Sequence, residues 1–355
     1  MNIETIPKLT KTLSDYGYIN ARVRGMKSAL LTGKDWAELH TLANLNEIFN
    51  ALSTQAMGKT WNINAHSSIS QFQEALRRDL CHTTQKLFDI TGGRSRQLLE
   101  AVLSFWDIEN VKTIMRAKYT SSSTKEIEQS IFPIGKLNEA LLHELIKSAD
   151  LGQVLSTLSA WHQYYGKALL KTYYLNQDTL KQTLFPLEQS LDHAFFDELI
   201  SLDATLTKDE LVLRHWLKQL LDIYHFRTAN RLRNMKVSEQ EQAGYFLGNG
   251  NYLNKYRFFD LIHAPSEKDA LEMASNILHI SKGPENLMEL ETVLEYRMLK
   301  TCTDAYRGNP LEFDILFGFL WIKFAQSRDL RIIIYAKNAQ LKYDDYKKDL
   351  FYAAV

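Results

Sequence analysis

The chain has 355 residues, of which 45% are apolar and 24% charged, and its 42 basic side chains balance its 42 acidic ones. This composition is ordinary for a soluble globular protein, long enough for two or three domains, and its neutral balance gives no general drive toward nucleic acid or anionic lipid. Two cysteines, Cys81 and Cys302, argue against a disulfide framework or a cysteine metal site and fit a reducing compartment.

The opening MNIETIPKL lacks the basic-then-apolar pattern of a signal peptide. Residues 16–60 read as helices: YGYINARVRGMKSALL, a turn at Thr32-Gly33, then WAELHTLANLNEIFNAL. An acidic-apolar helical stretch, FQEAL from Phe72, precedes the helix FWDIENVKTIMRAK from Phe105 to Lys118. The order then recurs. LEQSL from Leu187 precedes LLDIYHFRTANRLR (Leu220 to Arg233), and LETVL from Leu290 precedes FAQSRDLRIIIYAK (Phe324 to Lys337). Polar connectors fall at TSSSTKEIEQ from Thr120, KVSEQEQ from Lys236 and SKGPEN from Ser281. Only six prolines occur, and apolar positions recur at three- and four-residue spacing, so the class is all-α. RIIIYAK is β-prone but short, and its helical register decides. The longest apolar run, Ile315 to Ile322, is eight residues. A membrane span needs about 20, so any membrane role is peripheral.

The three central stretches are in register. Lys112, Arg227 and Arg331 are equivalent, as are Phe105, Leu220 and Phe324. The last leucines of the preceding stretches, Leu76, Leu191 and Leu294, lie 36, 36 and 37 residues before those basic positions. Gly135 and Gly250 each follow by 23. A long fixed period means one structural unit used repeatedly. The third copy leaves too little chain after Lys337 to complete its unit. The N-terminal helices have the missing character: Gly33 with Leu39 and Leu42 resembles Gly135 with Leu142 and Leu145, and EIFNAL resembles QVLSTL at Gln153. The expected lobes are therefore 62–171, 172–283, and 284–355 joined with 1–61. An open solenoid has atypical caps at both ends. A unit shared by both termini instead closes a ring, here three pseudo-threefold-related helical lobes around either a central hole or a closed funnel.

Catalytic patterns are absent. GMKSALLTGKDW from Gly25 has the wrong spacing for a phosphate loop, and Asp35 stands where a magnesium-binding hydroxyl is needed. TGGR at Thr91 and GNG at Gly248 read as helix-joining turns. DDYKKD, Asp344 to Asp349, resembles the aspartate clusters of magnesium-dependent all-α prenyl-transferring enzymes, but its spacing is off and no partner motif exists. The ten histidines form no HxxxH or HExxH, and no GxSxG occurs. No metal, nucleotide or other cofactor is expected.

Lys112, Arg116, Arg227, Arg231, Arg328 and Arg331 form a recurring basic stripe. The simpler reading pairs them with Glu188, Glu291 and Glu74 of the acidic helices, because a partly buried arginine needs a counter-charge. The functional reading turns them into a central cavity that grasps an acidic partner. The two are compatible.

YGYINARVRGMKSALL, DIENVKTIMRAKY, the FPIGKL turn and the three diverged repeats resemble the C subunit of the archaeal and bacterial A/V-type rotary ATPases, a relative of the d subunit of the vacuolar enzyme. The resemblance covers essentially the whole chain. It implies a non-catalytic, funnel-shaped rotor subunit, peripheral on the cytoplasmic side of the membrane. Its implied partners are central-stalk subunits D and F and the membrane rotor ring (c/K), with no nucleic acid and no bound nucleotide. Arg22 and Arg24 then join the six basic positions as stalk-binding candidates. The segment Ile315 to Ile322 is expected in the core rather than against the ring. Gln326 stands where the other copies have Asp107 and Asp222, which sets the third repeat apart. The competing reading is a soluble helical-repeat adaptor that scaffolds other proteins.

Overall fold

A computed structural model of the chain describes residues 16–55, 58, 61–235, 237–280 and 284–352, and of Gln129 the backbone alone. The opening MNIETIPKL, Lys236 of the second connector and residues 281–283 of the third lie outside them. Among the described residues every regular element is a helix.

Helix α1 (Tyr16–Met26) leads through a 3-10 turn to α2 (Gly33–Thr41) and α3 (Leu45–Thr54). Residues 42–44 separate α2 from α3, because Asn44 accepts from Glu47 N and starts a new helix. α4 (Ile69–Ile90) begins at a Ser68–Gln71 capping box and turns at Thr91 into the 27-residue α5 (Gly93–Tyr119). Gly93 holds φ +51° there, the left-handed region that glycine enters without penalty. α6 (Thr124–Ser130), α7 (Glu139–Lys147), α8 (Leu151–Trp161), α9 (Gln163–Leu175) and α10 (Gln177–Leu180) follow. α11 (Phe185–Asp203) and α12 (Leu211–Arg233) precede α13 (Glu239–Gly244), α14 (Lys255–Ile262) and α15 (Glu267–Ile277). α16 (Leu287–Asp304), α17 (Asp314–Asn338) and α18 (Tyr343–Tyr346) complete the chain.

The cap residues repeat with the helices. Ser123, Asn138 and Asp150 start α6, α7 and α8; Ser238, Asn254 and Ser266 start α13, α14 and α15; Thr32 and Asn44 start α2 and α3. Each such cap satisfies an orphan N–H and contributes about 1 kcal/mol.

Helices α5, α12 and α17 carry the three repeated stretches, and their apolar residues are buried on more than one side. Their starts are tied together at one end of the molecule. Buried Glu210 accepts from Arg94 Nη2 at 2.8 Å and from Tyr16 Oη at 3.4 Å, and Phe313 N donates to Asp209 O at 3.0 Å. Further along, Trp106, Trp216, Trp321, Phe317 and Phe324 interlock with ring centroids 5.0–6.2 Å apart. Burying side chains of this size supplies about 1.5–3 kcal/mol each. The run Ile315 to Ile322 lies in this core, with Ile315, Leu316, Phe317, Phe319, Leu320 and Trp321 at 2% exposure or less.

Each central helix then grips the chain that follows it at two rungs one turn apart. On the first rung, Asp107 accepts from Lys136 N (2.8 Å) and Leu137 N (3.2 Å), and Asp222 accepts from the N–H groups of Asn251, Tyr252 and Leu253 (2.8–3.1 Å). The equivalent Gln326 accepts from Leu31 N at 2.7 Å. Leu137, Leu253 and Leu31 are all buried, and each immediately precedes a capping residue. On the second rung, Asn110 accepts from Phe132 N (2.8 Å), His225 from Leu247 N (3.2 Å) and Asp329 from Tyr352 N (2.8 Å). The C-terminal Tyr352 and the N-terminal segment therefore occupy, on α17, the places that one continuous connector occupies on α5 and on α12. Trp36 stacks on Tyr352 at 4.9 Å, and Lys337 Nζ donates to Leu42 O (2.7 Å), as Lys118 Nζ does to Ile146 O (2.5 Å).

This register corrects one sequence equivalence. Leu31, not Gly33, marks the matching turn, so Trp36, Leu142 and Phe258 correspond, and likewise Leu39, Leu145 and Leu261; all six are buried. The Gly33 alignment to Gly135 is one helical turn out.

Candidate functional site

Each central helix leans on the outer helix of the next repeat: α5 on α11, α12 on α16, and α17 on α4. The basic stripe lies along these three seams. In the first, Lys112 Nζ sits 2.6 Å from Asp192 and 3.3 Å from Glu109, while Arg116 Nε lies 2.5 Å from Glu188. Arg231 reaches the same Glu188 at 3.5 Å and lies over the Phe185 ring. Burial opposes charge on Lys112, but Asp192 and Glu109 outweigh it and hold its pKa above the ordinary value. Burial likewise works against the Glu188 carboxylate, and Arg116 more than offsets it, leaving that pKa low. In the second seam, Arg227 pairs with both Glu291 and Glu295. Arg116, Arg227 and Arg231 remain about half exposed, so these charges pair internally and still face outward.

The third seam is built differently. Glu74 pairs with Arg77 (2.9 Å) and Arg78 (3.4 Å) on its own helix, so the expected Glu74 partner for Arg331 is overturned. Setting Leu76, Leu191 and Leu294 in register shows why. The counterparts of Glu188 and Glu291 are not Glu74 but Gln73, and those of Asp192 and Glu295 are Arg77. A neutral side chain and a cation replace two anions. Tyr335 stands where Arg116 and Arg231 stand, and Gln73 Nε2 donates to its hydroxyl. Arg331 lies over the Phe132 ring at 4.1 Å, its Nε buried without a hydrogen-bond partner among the described residues. Burial lowers its pKa to about 10. Arg328 turns elsewhere, pairing with Asp329 at 3.2 Å. α17 and α4 are tied further by the buried Lys323, 2.5 Å from Asp79.

Two cavities matter here. One of about 510 Å³ opens where the three central helices meet, lined by the equivalent Phe105, Leu220 and Phe324 with Trp106, Tyr296 and Trp321. Arg227, Arg328 and Lys348 also line it. A second, about 880 Å³, lies along the third seam and includes Arg331, Gln73 and Arg77. Arg22 and Arg24 stand exposed on α1 and join none of the three charged seams. The aspartates of DDYKKD are used locally: Asp344 pairs with Lys347 at 2.6 Å, and Asp345 accepts from Lys342 N. Sequence reasoning missed the second-rung residues Asn110, His225 and Asp329, although their common register with the basic stripe was available. It also missed Lys323–Asp79, which has no counterpart in the other repeats.

Among the described residues no helix is long and apolar enough to cross a membrane. Comparison with known proteins gives one consistent result. The ATP synthase (C/AC39) subunit family model matches residues 19–348. The A-type ATP synthase C subunit of Methanococcoides burtonii is 26% identical over 97% of this chain and 96% of its own length. That of Haloferax volcanii is 22% identical over 94% and 96%. The V-type ATP synthase C subunit of Deinococcus radiodurans is 24% identical over 95% and 91%. With all but the ends of its length matched by the family model, this all-helical chain belongs to the ATP synthase (C/AC39) subunit family.

Proposed function

We propose that the protein is the central-stalk rotor subunit of an A/V-type rotary ATPase, a socket that couples the D/F stalk to the membrane rotor ring. In this reading it is non-catalytic and peripheral, on the cytoplasmic side of the membrane. ATP turnover elsewhere rotates the stalk, and this subunit passes the torque to the ring, or returns it when ion flow drives the ring.

The observation that carries the reading is the double grip made three times, the last time by pairing the two ends of the chain on α17. Such a joint suits three lobes (62–171, 172–283, and 284–355 with 1–61) closed into a funnel. A closed body transmits torque where an open solenoid adaptor would flex, because close-packed interiors have low compressibility. The apolar cavity bounded by Phe105, Leu220 and Phe324 has room for a few side chains of a stalk tip, and Arg227 and Arg328 at that cavity, with Arg116 and Arg231 on the neighbouring seam, are candidate contacts. Lys112 and Arg331 contribute from inside the seams, and Arg22 and Arg24 from α1.

Reconstitution tests the reading. A rotary complex assembled without this protein should retain ATP hydrolysis in its catalytic head yet pump no ions, and adding the purified protein should restore pumping. Ion transport that is indifferent to its presence would overturn the proposal, as would ATP hydrolysis by the isolated chain that scales with its purity.

A further inference from the structure

A socket with three equivalent seams would accept a shaft in three orientations. The third seam removes that equivalence. In the first two, the basic residues of the central helix meet two anions of the facing outer helix: Lys112 and Arg116 meet Asp192 and Glu188, and Arg227 meets Glu291 and Glu295. In the third, the facing positions are Gln73 and Arg77. Three glutamates share the cavity with Arg331, but Glu74 and Glu139 pair with Arg77 at 2.9 Å and 3.0 Å and Glu128 faces His143 at 3.4 Å, which leaves Arg331 without an ion-pair partner among the described residues. The guanidinium lies over the face of Phe132, 4.1 Å from the ring centroid. Beside it is open space of about 880 Å³, room for several side chains.

We infer that this third-seam cavity is a docking site for an acidic side chain of a partner protein, whose carboxylate pairs with the Arg331 guanidinium as Glu295 pairs with Nη2 of Arg227. The occupant is a carboxylate because a partly buried guanidinium with no ion-pair partner among the described residues favours a charge-assisted hydrogen bond to an oxyanion. It is protein-borne because the cavity is far larger than one small anion and opens along a seam rather than closing around a ligand. Resting on the coupling role proposed above, the inference assigns the carboxylate to the D/F stalk, so that the odd seam fixes the stalk in one of three otherwise similar orientations.

Two variants test it in the full chain, with stalk affinity measured by calorimetry and ring binding as a control. Arg331→Gln removes the cation. Gln73→Glu supplies from within the chain the anion found in the other seams, so it should preserve or raise the melting temperature while competing with the stalk. Both should weaken stalk binding by about 30-fold, the scale of a lost buried charge pair, with ring binding unchanged. Affinities within twofold of wild type for both variants would overturn the inference and leave the coupling role standing. A wild-type chain that binds no stalk would overturn the coupling role and this inference with it. Inorganic phosphate that binds wild type but not Arg331→Gln, with stalk affinity unaffected, would identify a small-anion site and reject protein docking.

Discussion

The joint on α12 and the joint on α17 do the same mechanical work with different materials. On α12, Asp222 and His225 hold a connector that runs unbroken from the helix. On α17, Gln326 and Asp329 hold two chain ends that are more than 300 residues apart in sequence. Backbone N–H groups are presented at the same places, and the side chains that meet them have changed from Asp to Gln and from His to Asp. The lesson is that the repeat preserves the position of acceptors, not their chemistry. The third seam, where α17 meets α4, adds one device that the other two seams lack, the Lys323–Asp79 ion pair.

That pair gives the largest expected effect. Lys323→Met leaves the Asp79 carboxylate in a poorly solvated seam, and unfolding titrations should show a loss of about 3–5 kcal/mol, whereas replacing both residues by apolar ones should recover most of it. If the single variant matches wild type, the third seam does not depend on its private ion pair.

The rungs come next. Asp222→Ala orphans three backbone N–H groups and should destabilise by about 3 kcal/mol, against about 1–2 kcal/mol for Gln326→Ala, which releases Leu31 N. The reverse order in chemical denaturation would contradict the view that the chain-end joint is the weaker grip.

Glycines sharpen the comparison further. A Cβ on Gly135 would stand 2.2 Å from the Asp107 carboxylate, and one on Gly250 2.0 Å from that of Asp222, while one on Gly33 meets nothing. Gly135→Ala should therefore cost about 2 kcal/mol by displacing its rung acceptor. Gly33→Ala should be neutral or add about 0.5 kcal/mol, by restricting the unfolded chain in a helix that alanine favours. Thermal melts of the two single variants decide the matter.

The last comparison sets the second-rung residues apart by the slope of stability against pH, not by its size at neutral pH. Burial, with a contribution from His193, lowers the His225 pKa from 6.5 to about 3. Between those values the unfolded chain holds a proton at this position and the native chain does not. The stability from keeping this group neutral is complete above pH 6.5 and is lost as pH falls through that window. Asp107 works in the opposite sense, since burial raises its pKa to about 7 and the native state takes up its proton first. His225→Asn installs the residue that serves at Asn110. It should reduce the slope of unfolding free energy against pH, between about 4 and 6, by about 1.4 kcal/mol per unit. An unchanged slope would place that proton uptake on another group.

Much of the fold was legible because it is coded locally. Ser123, Asn138 and Asp150, and their counterparts, start helices wherever they occur, and Gly93 turns α4 into α5 through its own backbone freedom. The site was less legible. Glu74 was a natural counter-ion for Arg331 by composition, yet the facing position is Gln73, and one residue on a helix rotates a side chain by about 100°. A list of charges cannot register that rotation. The leucine landmarks can, once two helices are known to face each other.

By itself the sequence determined the all-helical class and the three copies of the central helix. Those follow from periodicity, caps and spacing, which are properties of neighbouring residues. Only the tertiary structure decided which cations are neutralised, that Asn110, His225 and Asp329 serve one purpose, and that among the described residues Arg331 alone of the three landmark cations has no paired anion. Pairing depends on which faces of distant helices are pressed together, and burial, which sets the strength of each charge, exists only after they are.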